Sequence, residues 1–219
     1  MILMAFVMIS QLNYSQTSIK LADFDELKVF DKLNVTLVSS TENKIVITGT
    51  NQSNVETVTK NGLLKIRIVL TKILEDNKDL KVTLYFKNLE KIDANEGSIV
   101  SCKDIFKQTS IDLYAQEGAK IEAEVDVQKT TVKAVSGGII DLMGKSVNQN
   151  VTINTGGALY AKNLVTSQTT INISAGGSAD INATTLVDAK VNAGGSISIY
   201  GKPKQIKQQA FAGGTITEK

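Results

Sequence analysis

The sequence predicts an all-β protein, a right-handed parallel β-helix or β-solenoid, and three observations lead to this fold class. First, glycine-marked corners recur at intervals of 18 to 21 residues, at Gly97, Gly118, Gly138, Gly157, Gly177, Gly195 and Gly214. Second, apolar and polar residues alternate on both sides of these corners, which is the period of a β-strand. Third, no helical spacing separates the strands, so each coil of about 20 residues has no room for a packed helix.

Each repeat contains two short strands, one before and one after its glycines. Around Gly157, for example, Val151 and Ile153 precede the corner, and Leu159 and Ala161 follow it at alternate positions. A single coil of this kind cannot bury its apolar side chains alone. Neighbouring coils are therefore expected to stack, each strand pairing with its equivalent in the next repeat.

The glycine corners are predicted to be tight turns. Glycine reaches a positive φ without the steric cost that a Cβ imposes, so this conformation is expected at the structural turn residues. These are Gly138, Gly157, Gly177, Gly195 and Gly214. After Gly118 the pattern shifts, because Lys120 and Glu122 occupy the expected inward positions, and a one-residue bulge would restore the alternation.

Residues 24–90 are also strand-like but lack the glycine period, whereas residues 91–219 carry the repeats. Asn61-Gly62 between two alternating segments predicts a short β-hairpin. The charged segment from Glu75 to Asp79 is expected to be an exposed loop. We interpret this half as an irregular β lead-in that covers one end of the solenoid and hides its free edges.

Residues 1–16 contain an uninterrupted apolar run from Ile2 to Ile9 and are predicted to be a signal peptide. The alternative is a buried first strand. The run is too short to cross a bilayer, and no later segment is long and apolar enough to do so. Residues 17–219 are then one elongated domain, exported to the periplasm, the outer-membrane surface or the extracellular space.

Composition excludes several kinds of chemistry. The chain has no His, no Trp and one Cys, so His-based triads and the common zinc sites are excluded, and no cofactor is expected. Nucleic acid is a disfavoured partner, because the net charge is only +2 and Arg67 is the one arginine. Cys102 is expected to fill space in the core.

One column of side chains is the candidate binding surface. Asp141, Tyr160, Asp180 and Ser198 each lie three places after the last glycine of successive repeats, so a regular solenoid would align them on its outer face. Two carboxylates two coils apart, about 9.6 Å from the strand spacing, would also suit an inverting glycosidase. Interruption by Tyr160 argues against catalysis, and fold analogy alone is a weak reason for it.

Other polar residues have structural interpretations. Asn154, Asn172, Asn182 and Asn192 are expected to stack by hydrogen bonding at the corners. Tyr114, Tyr160 and Tyr200 would be the residues available for stacking against a sugar, but 5% aromatic residues and no Trp is a small supply for carbohydrate recognition. Ser136, Thr155 and Ser196 are predicted to form turns, and Lys202, Lys204 and Lys207 a solvated cluster.

Residues 24–201 resemble the auto-transporter adhesin head domain called the GIN domain. The resemblance is carried by residues 174–179, 186–197 and 200–203, and by residues 61–66, which are similar to its early "nGxLxI" segment. It implies a β-helix-like fold and export to the envelope. The chain departs from the pattern at its first two corners, where Gly97 and Gly118 stand as single glycines.

The expected function is that of a secreted, non-enzymatic β-helical domain with adhesin-like binding of a glycan or protein at the envelope or cell surface. An envelope structural or sensing module with a protein partner is the alternative. A polysaccharide-active enzyme of β-helical fold is a further one. The oligomeric state is left open by the sequence.

Overall fold

A computed structural model describes residues 16–219, which form strands joined by turns and two short 3-10 helices, Gln52–Asn54 and Leu70–Lys72. The strands are β1 (Gln16–Lys20), β2 (Glu26–Val29), β3 (Asn34–Ser39), β4 (Lys44–Thr48), β5 (Val55–Lys60), β6 (Leu63–Ile68), β7 (Lys81–Phe86), β8 (Lys91–Ala94), β9 (Ile99–Gln116), β10 (Lys120–Val135), β11 (Ile139–Asn154), β12 (Ala158–Ile173), β13 (Ser178–Val191), β14 (Ser196–Tyr200), β15 (Gln205–Ala210) and β16 (Thr215–Glu218). The predicted fold class is confirmed: the chain is a β-solenoid of stacked parallel coils.

The coils stack into two ladders. The first ladder runs β1, β4, β7, β3, then the amino-terminal parts of β9 to β13, and ends with β14 and β16. The second runs β5, β6, β2, β8, then the carboxy-terminal parts of β9 to β13, and ends with β15. Each long strand from β9 to β13 therefore belongs to both ladders, and the coil closes at the glycine turn.

Apolar side chains alternate along each strand and meet inside the solenoid. On the first ladder, adjacent coils contribute an inward row of Ile121, Ile140, Leu159, Ala179 and Ile197. On the second ladder, the inward row contains Leu113, Val132, Val151, Ile171 and Ala189. Burial of each large aliphatic side chain contributes about 1.5–3 kcal/mol, so the stacked rows hold the coils together.

The coils align on the first glycine of each corner. The Gly118 amide donates to Ser136 O and the Gly137 amide donates to Thr155 O, which makes Gly118 equivalent to Gly137. Residues 120–127 then pair continuously with 139–146. The bulge predicted after Gly118 is therefore wrong: Ala119 occupies the place of the second glycine, and Ile121 faces inward without any insertion. The register shifts instead between β9 and β10, because β9 has extra residues between Ser101 and Ile105.

Positive φ is found at only two of the five predicted turn glycines, Gly177 (113°) and Gly195 (99°). The prediction is wrong for Gly138, Gly157 and Gly214, whose φ is not positive. At these positions glycine is required by close approach, because a Cβ on Gly138 would lie 2.0 Å from the Ala115 carbonyl oxygen.

The lead-in continues both ladders and then closes them with antiparallel strands. β2 and β3 stack in parallel on β8 and β9, and β6 and β7 stack on β2 and β3. Beyond them, β4, β1 and β5 pair in the antiparallel direction. The predicted hairpin is confirmed between β5 and β6, with φ of 51° at Asn61 and 79° at Gly62.

The ends of the chain also bear on the predictions. The predicted signal peptide lies outside the described residues, apart from Gln16, which begins β1. At the other end, β15 pairs with β13 and β16 pairs with β14, so each ladder gains one last strand. Within residues 16–219, no helix has the length and apolar character needed to cross a membrane.

Candidate binding surface

The candidate column occupies consecutive positions on the first ladder. Asp141 pairs with Tyr160, Tyr160 with Asp180, and Asp180 with Ser198. Their side chains project outward because the inward rows are taken by the residues on either side of them in each strand. Parallel strands lie about 4.8 Å apart, so the Asp141 and Asp180 positions are about 9.6 Å apart with Tyr160 between them.

Tyr160 is the most exposed member of the column, with 49% of its surface accessible. Asp141, Asp180 and Ser198 are partly exposed. A phenol ring on an open surface between two carboxylates can stack against an apolar face of a ligand while the carboxylates accept hydrogen bonds from its hydroxyl or amino groups. The geometry therefore provides both kinds of contact used in surface recognition.

The column extends one coil further than the sequence indicated. Glu122 pairs with Asp141, and Lys120 lies two residues before it on the same strand. Lys120 Nζ and Glu122 Oε1 form an ion pair and a hydrogen bond. This pair raises the pKa of Lys120, with smaller contributions from Asp141 and Tyr160. Counting from Gly118 placed Glu122 inward, so the shifted frame concealed this acidic residue.

A bulge in β12 exposes the side chains of Lys162 and Asn163 beside Tyr160. The register between β12 and β13 shifts between Tyr160 and Val165, and Lys162 and Asn163 are exposed within it. The Lys162 carbonyl accepts a hydrogen bond from Asn182 Nδ2 at 2.9 Å. Its ammonium lies 4.8 Å from the centroid of the Tyr200 ring. Bulges re-aim side chains, and here one brings a cation next to the column.

The three tyrosines do not form one stacking platform. Tyr160 and Tyr200 lie on the first ladder, whereas Tyr114 lies on the second, paired with Asp93 and Lys133. The ammonium groups of Lys91 and Lys133 lie 5.3 and 6.0 Å from the Tyr114 ring centroid. Burial raises the pKa of Tyr114, and the neighbouring Asp112 adds to the shift. Tyr114 is therefore part of a packed network on the other ladder.

The asparagine residues make local hydrogen bonds. Asn192 Nδ2 donates to Asn172 Oδ1 at 3.0 Å across adjacent coils, which is the stacking predicted for these residues. Asn172 Nδ2 donates to Ser174 Oγ at 3.3 Å, and Asn154 Oδ1 accepts from Thr155 at 3.3 Å. Asn182 bonds to the β12 bulge instead of to another asparagine.

The remaining candidates have structural positions. Cys102 is partly buried against the core, and burial raises the pKa of its thiol to about 11. Ser136 and Thr155 are turn residues with φ of 50° and 49°, whereas Ser196 begins β14 and the turn predicted for it is wrong. The side chains of Lys202, Lys204 and Lys207 are exposed, as predicted. Among residues 16–219, no cluster of three acidic or cysteine side chains could hold a metal ion.

The chain is similar to known proteins in both sequence and fold. The sequence profile of a family described as "putative auto-transporter adhesin, head GIN domain" matches residues 23–203. None of the curated proteins matches the chain.

Solved structures share the fold at low sequence identity. A "putative adhesin" from Bacteroides fragilis is 20% identical, with a TM-score of 0.88 over 95% of this chain and 98% of that one. A "putative adhesin" from Parabacteroides distasonis is 19% identical, with a TM-score of 0.77 over 94% and 97%. A "putative lipid binding protein" from the same species is 18% identical, with a TM-score of 0.67 over 95% and 97%.

Proposed function

Because the chain belongs to the auto-transporter adhesin head GIN domain family, we propose that it is an exported, non-enzymatic adhesin-like domain that binds a glycan through the outer face of its first ladder. The observation that carries this proposal is the row of side chains formed by Asp141, Tyr160 and Asp180 at equivalent positions of three consecutive coils. The predicted signal peptide and the adhesin character of the family support export.

A glycan fits this surface for chemical reasons. Sugar rings combine apolar C–H faces with hydroxyl donors, and the column offers an exposed aromatic ring beside two carboxylate acceptors. Lys162 and Asn163 on the adjacent bulge add a donor and an amide. A repeating glycan would lie along the solenoid axis, where each coil presents one side chain at regular intervals.

Binding suits the column better than hydrolysis does. Glycosidic cleavage by two carboxyl groups needs one of them protonated and both aimed at the same bond. Here the two aspartates are partly exposed on an open face and Tyr160 lies between them. An inverting pair needs the scissile bond and a water between its two carboxyl groups, and in this column Tyr160 occupies the position between Asp141 and Asp180.

The test is a glycan and extracellular-matrix array with the purified chain beginning at Thr17. Saturable binding to a defined glycan should be lost in Tyr160→Ala and weakened at least about tenfold in Asp141→Asn and Asp180→Asn. Thr170→Ala and Asp188→Asn are matched controls, because these exposed residues pair with each other on the second ladder of the same two coils. Equal loss in the controls would contradict the assignment of the site.

A parallel pull-down from envelope extracts addresses the alternative function. A blank array together with one stable envelope protein, retained by the Tyr160→Ala variant, would overturn glycan binding. It would favour a structural or sensing role in the envelope instead.

A further inference from the structure

A groove lies at the amino-terminal end of the solenoid, beside the turns that lead from the second ladder to the first. Elsewhere a tight turn joins the second ladder to the first, but residues 69–80 make a long connection between β6 and β7. Between this connection and the neighbouring turns is a groove of about 600 Å³. Its lining includes Asp31, Lys32, Ile68, Ile73, Leu74 and Glu96.

The wall of this groove is apolar and unusually exposed. Of its lining residues, Leu74 is 100% accessible and Ile73 is 43% accessible, and Leu70, on the same connection but outside the lining, is 81% accessible. Exposed aliphatic side chains that cluster on one segment are characteristic of interaction sites. The sequence predicted an exposed loop at residues 75–79, and the leucines lie just before it.

Side-chain hydrogen bonds hold the connection in place. Lys72 Nζ lies 2.5 Å from Glu75 Oε1, and Asn54 Nδ2 donates to Glu75 Oε2 at 2.9 Å. Asn77 Nδ2 donates to the Lys72 carbonyl at 3.0 Å. The leucines are thus presented on a segment that is already ordered, which lowers the entropy cost of binding.

Acidic side chains outnumber basic ones along the groove, with Asp31, Glu75, Asp76 and Glu96 against Lys32 and Lys78. The turns containing Asp31, Glu96 and Glu117 stack on one another, since the Lys32 amide donates to Glu96 O at 3.0 Å and the Gly97 amide donates to Glu117 O at 2.9 Å. The pKa of Glu96 is raised mainly by its burial and further by the neighbouring Asp31 and Glu117. A cation bound here would relieve the repulsion among these carboxylates.

Charge and shape together select the occupant. Because carboxylates outnumber ammonium groups along the groove, it would repel the phosphates of anionic lipids and nucleic acids. Aliphatic walls lack the aromatic surface on which sugars stack. We propose that the groove binds a polypeptide segment of a partner protein in which aliphatic side chains alternate with Lys or Arg. The aliphatic groups contact Ile73 and Leu74, and the cation contacts Asp31 and Glu96.

Three fluorescein-labelled peptides test this proposal by fluorescence anisotropy with residues 16–219. The peptide GSLKLKLSG should bind at least about tenfold more tightly than GSLELELSG, which reverses the charge, and than GSSKSKSSG, which lacks the leucines. Its affinity should fall about fivefold or more in Leu74→Ser and in Glu96→Gln, and it should weaken as salt is added. Equal binding of all three peptides would overturn the proposal.

Matched variants distinguish the groove from other surfaces. Ile105→Ser replaces an exposed aliphatic residue outside the groove, and Glu218→Gln neutralises an exposed acid at the far end. Neither should change peptide affinity, and Tyr160→Ala should leave it intact, so this site and the glycan surface succeed or fail separately. Co-sedimentation with phosphatidylcholine and phosphatidylglycerol vesicles that is lost in Leu74→Ser would overturn the proposal in favour of a membrane.

Discussion

The ammonium of Lys28 lies 3.1 Å from Asp93 Oδ2, joining β2 to β8 across the second ladder. Asp93 is only 4% exposed, although it is charged and lies at an outward position of its strand. Its other oxygen accepts hydrogen bonds from Asn95 Nδ2 at 3.0 Å and Gln116 Nε2 at 2.9 Å. Asp93 therefore links the lead-in to the first regular coils through a satisfied polar network.

We expect Asp93→Ala to destabilise the protein by about 3 kcal/mol, because it leaves Lys28 and two amides without their shared acceptor. The free energy of unfolding from guanidinium titration measures the effect. Asp188→Asn, an exposed residue on the same ladder, should change stability by less than about 0.5 kcal/mol. A similar change in both variants would show that the network contributes little.

Two glycines of neighbouring corners should respond differently to alanine. Gly138→Ala places a Cβ 2.0 Å from a backbone oxygen, whereas Gly156→Ala meets nothing within 4 Å but has a φ of 75°. We expect Gly156→Ala to cost about 1–2 kcal/mol and Gly138→Ala at least about 3 kcal/mol. Equal thermal shifts in the two variants would mean that φ strain, and not close approach, determines glycine at these corners.

Periodicity was sufficient to predict the solenoid, because alternation and repeat length are local properties of the sequence. It also aligned Asp141 with Tyr160 and Asp180, since these coils differ little in length. Counting residues from the last glycine of each corner gave the wrong inward positions after Gly118. At that corner Ala119 occupies the place of the second glycine, so the count began one residue too early. The missing signal is the equivalence of Gly118 and Gly137, which only the turn hydrogen bonds reveal.

Contacts between distant segments could not be predicted from the sequence. The cation–π contact of Lys162 with Tyr200 depends on a bulge whose size is set by the neighbouring coil. The groove near Leu74 depends on how the lead-in folds against the turns at Asp31 and Glu96. Neither arrangement has a periodic signature, since each joins residues that belong to different coils.

Cys102 should be slow to react in the folded protein. Burial raises the pKa of its thiol from 9.0 to about 11, so almost none is thiolate at pH 8. We expect labelling by iodoacetamide at pH 8 to be far slower in the native protein than in guanidinium. The folded protein holds the thiol proton more tightly than the unfolded chain does. The contribution of Cys102 to the free energy of unfolding is therefore complete below about pH 9 and is lost as the pH rises through 11. Equal native and denatured labelling rates would contradict this protected state.

Glu96→Gln should stabilise the protein at neutral pH. Burial, Asp31 and Glu117 raise the pKa of Glu96 above its ordinary value of 4.5, so ionised Glu96 destabilises the fold. The folded state binds its proton more tightly, and stability therefore falls as the pH rises from 4.5 through the folded pKa. The variant should unfold at a higher temperature at pH 7 and at the wild-type temperature below pH 4.5. Loss of peptide binding in this variant would then not reflect unfolding.

We expect Gln149→Met to stabilise the solenoid by about 1 kcal/mol. The substitution removes a buried amide group whose N–H donors have no acceptor. Gln149 is 1% exposed, and among residues 16–219 its Nε2 has no hydrogen-bond partner. Its Oε1 accepts from Thr169 Oγ1 at 3.2 Å. That hydroxyl also lies 2.9 Å from Thr166 Oγ1, which donates onward to Asn182 O. Thr169 therefore retains an acceptor in the variant.

Gln108→Met is the matched control for this prediction. The Nε2 of Gln108 donates to Leu89 O at 3.0 Å and to Ser110 O at 2.7 Å, so the same substitution there removes two hydrogen bonds. We expect it to lower the free energy of unfolding by about 1–2 kcal/mol. Opposite signs in guanidinium titrations of the two variants would establish that the unpaired Gln149 amide is a cost. Destabilisation by both would instead show that the Gln149 amide is hydrogen-bonded in solution.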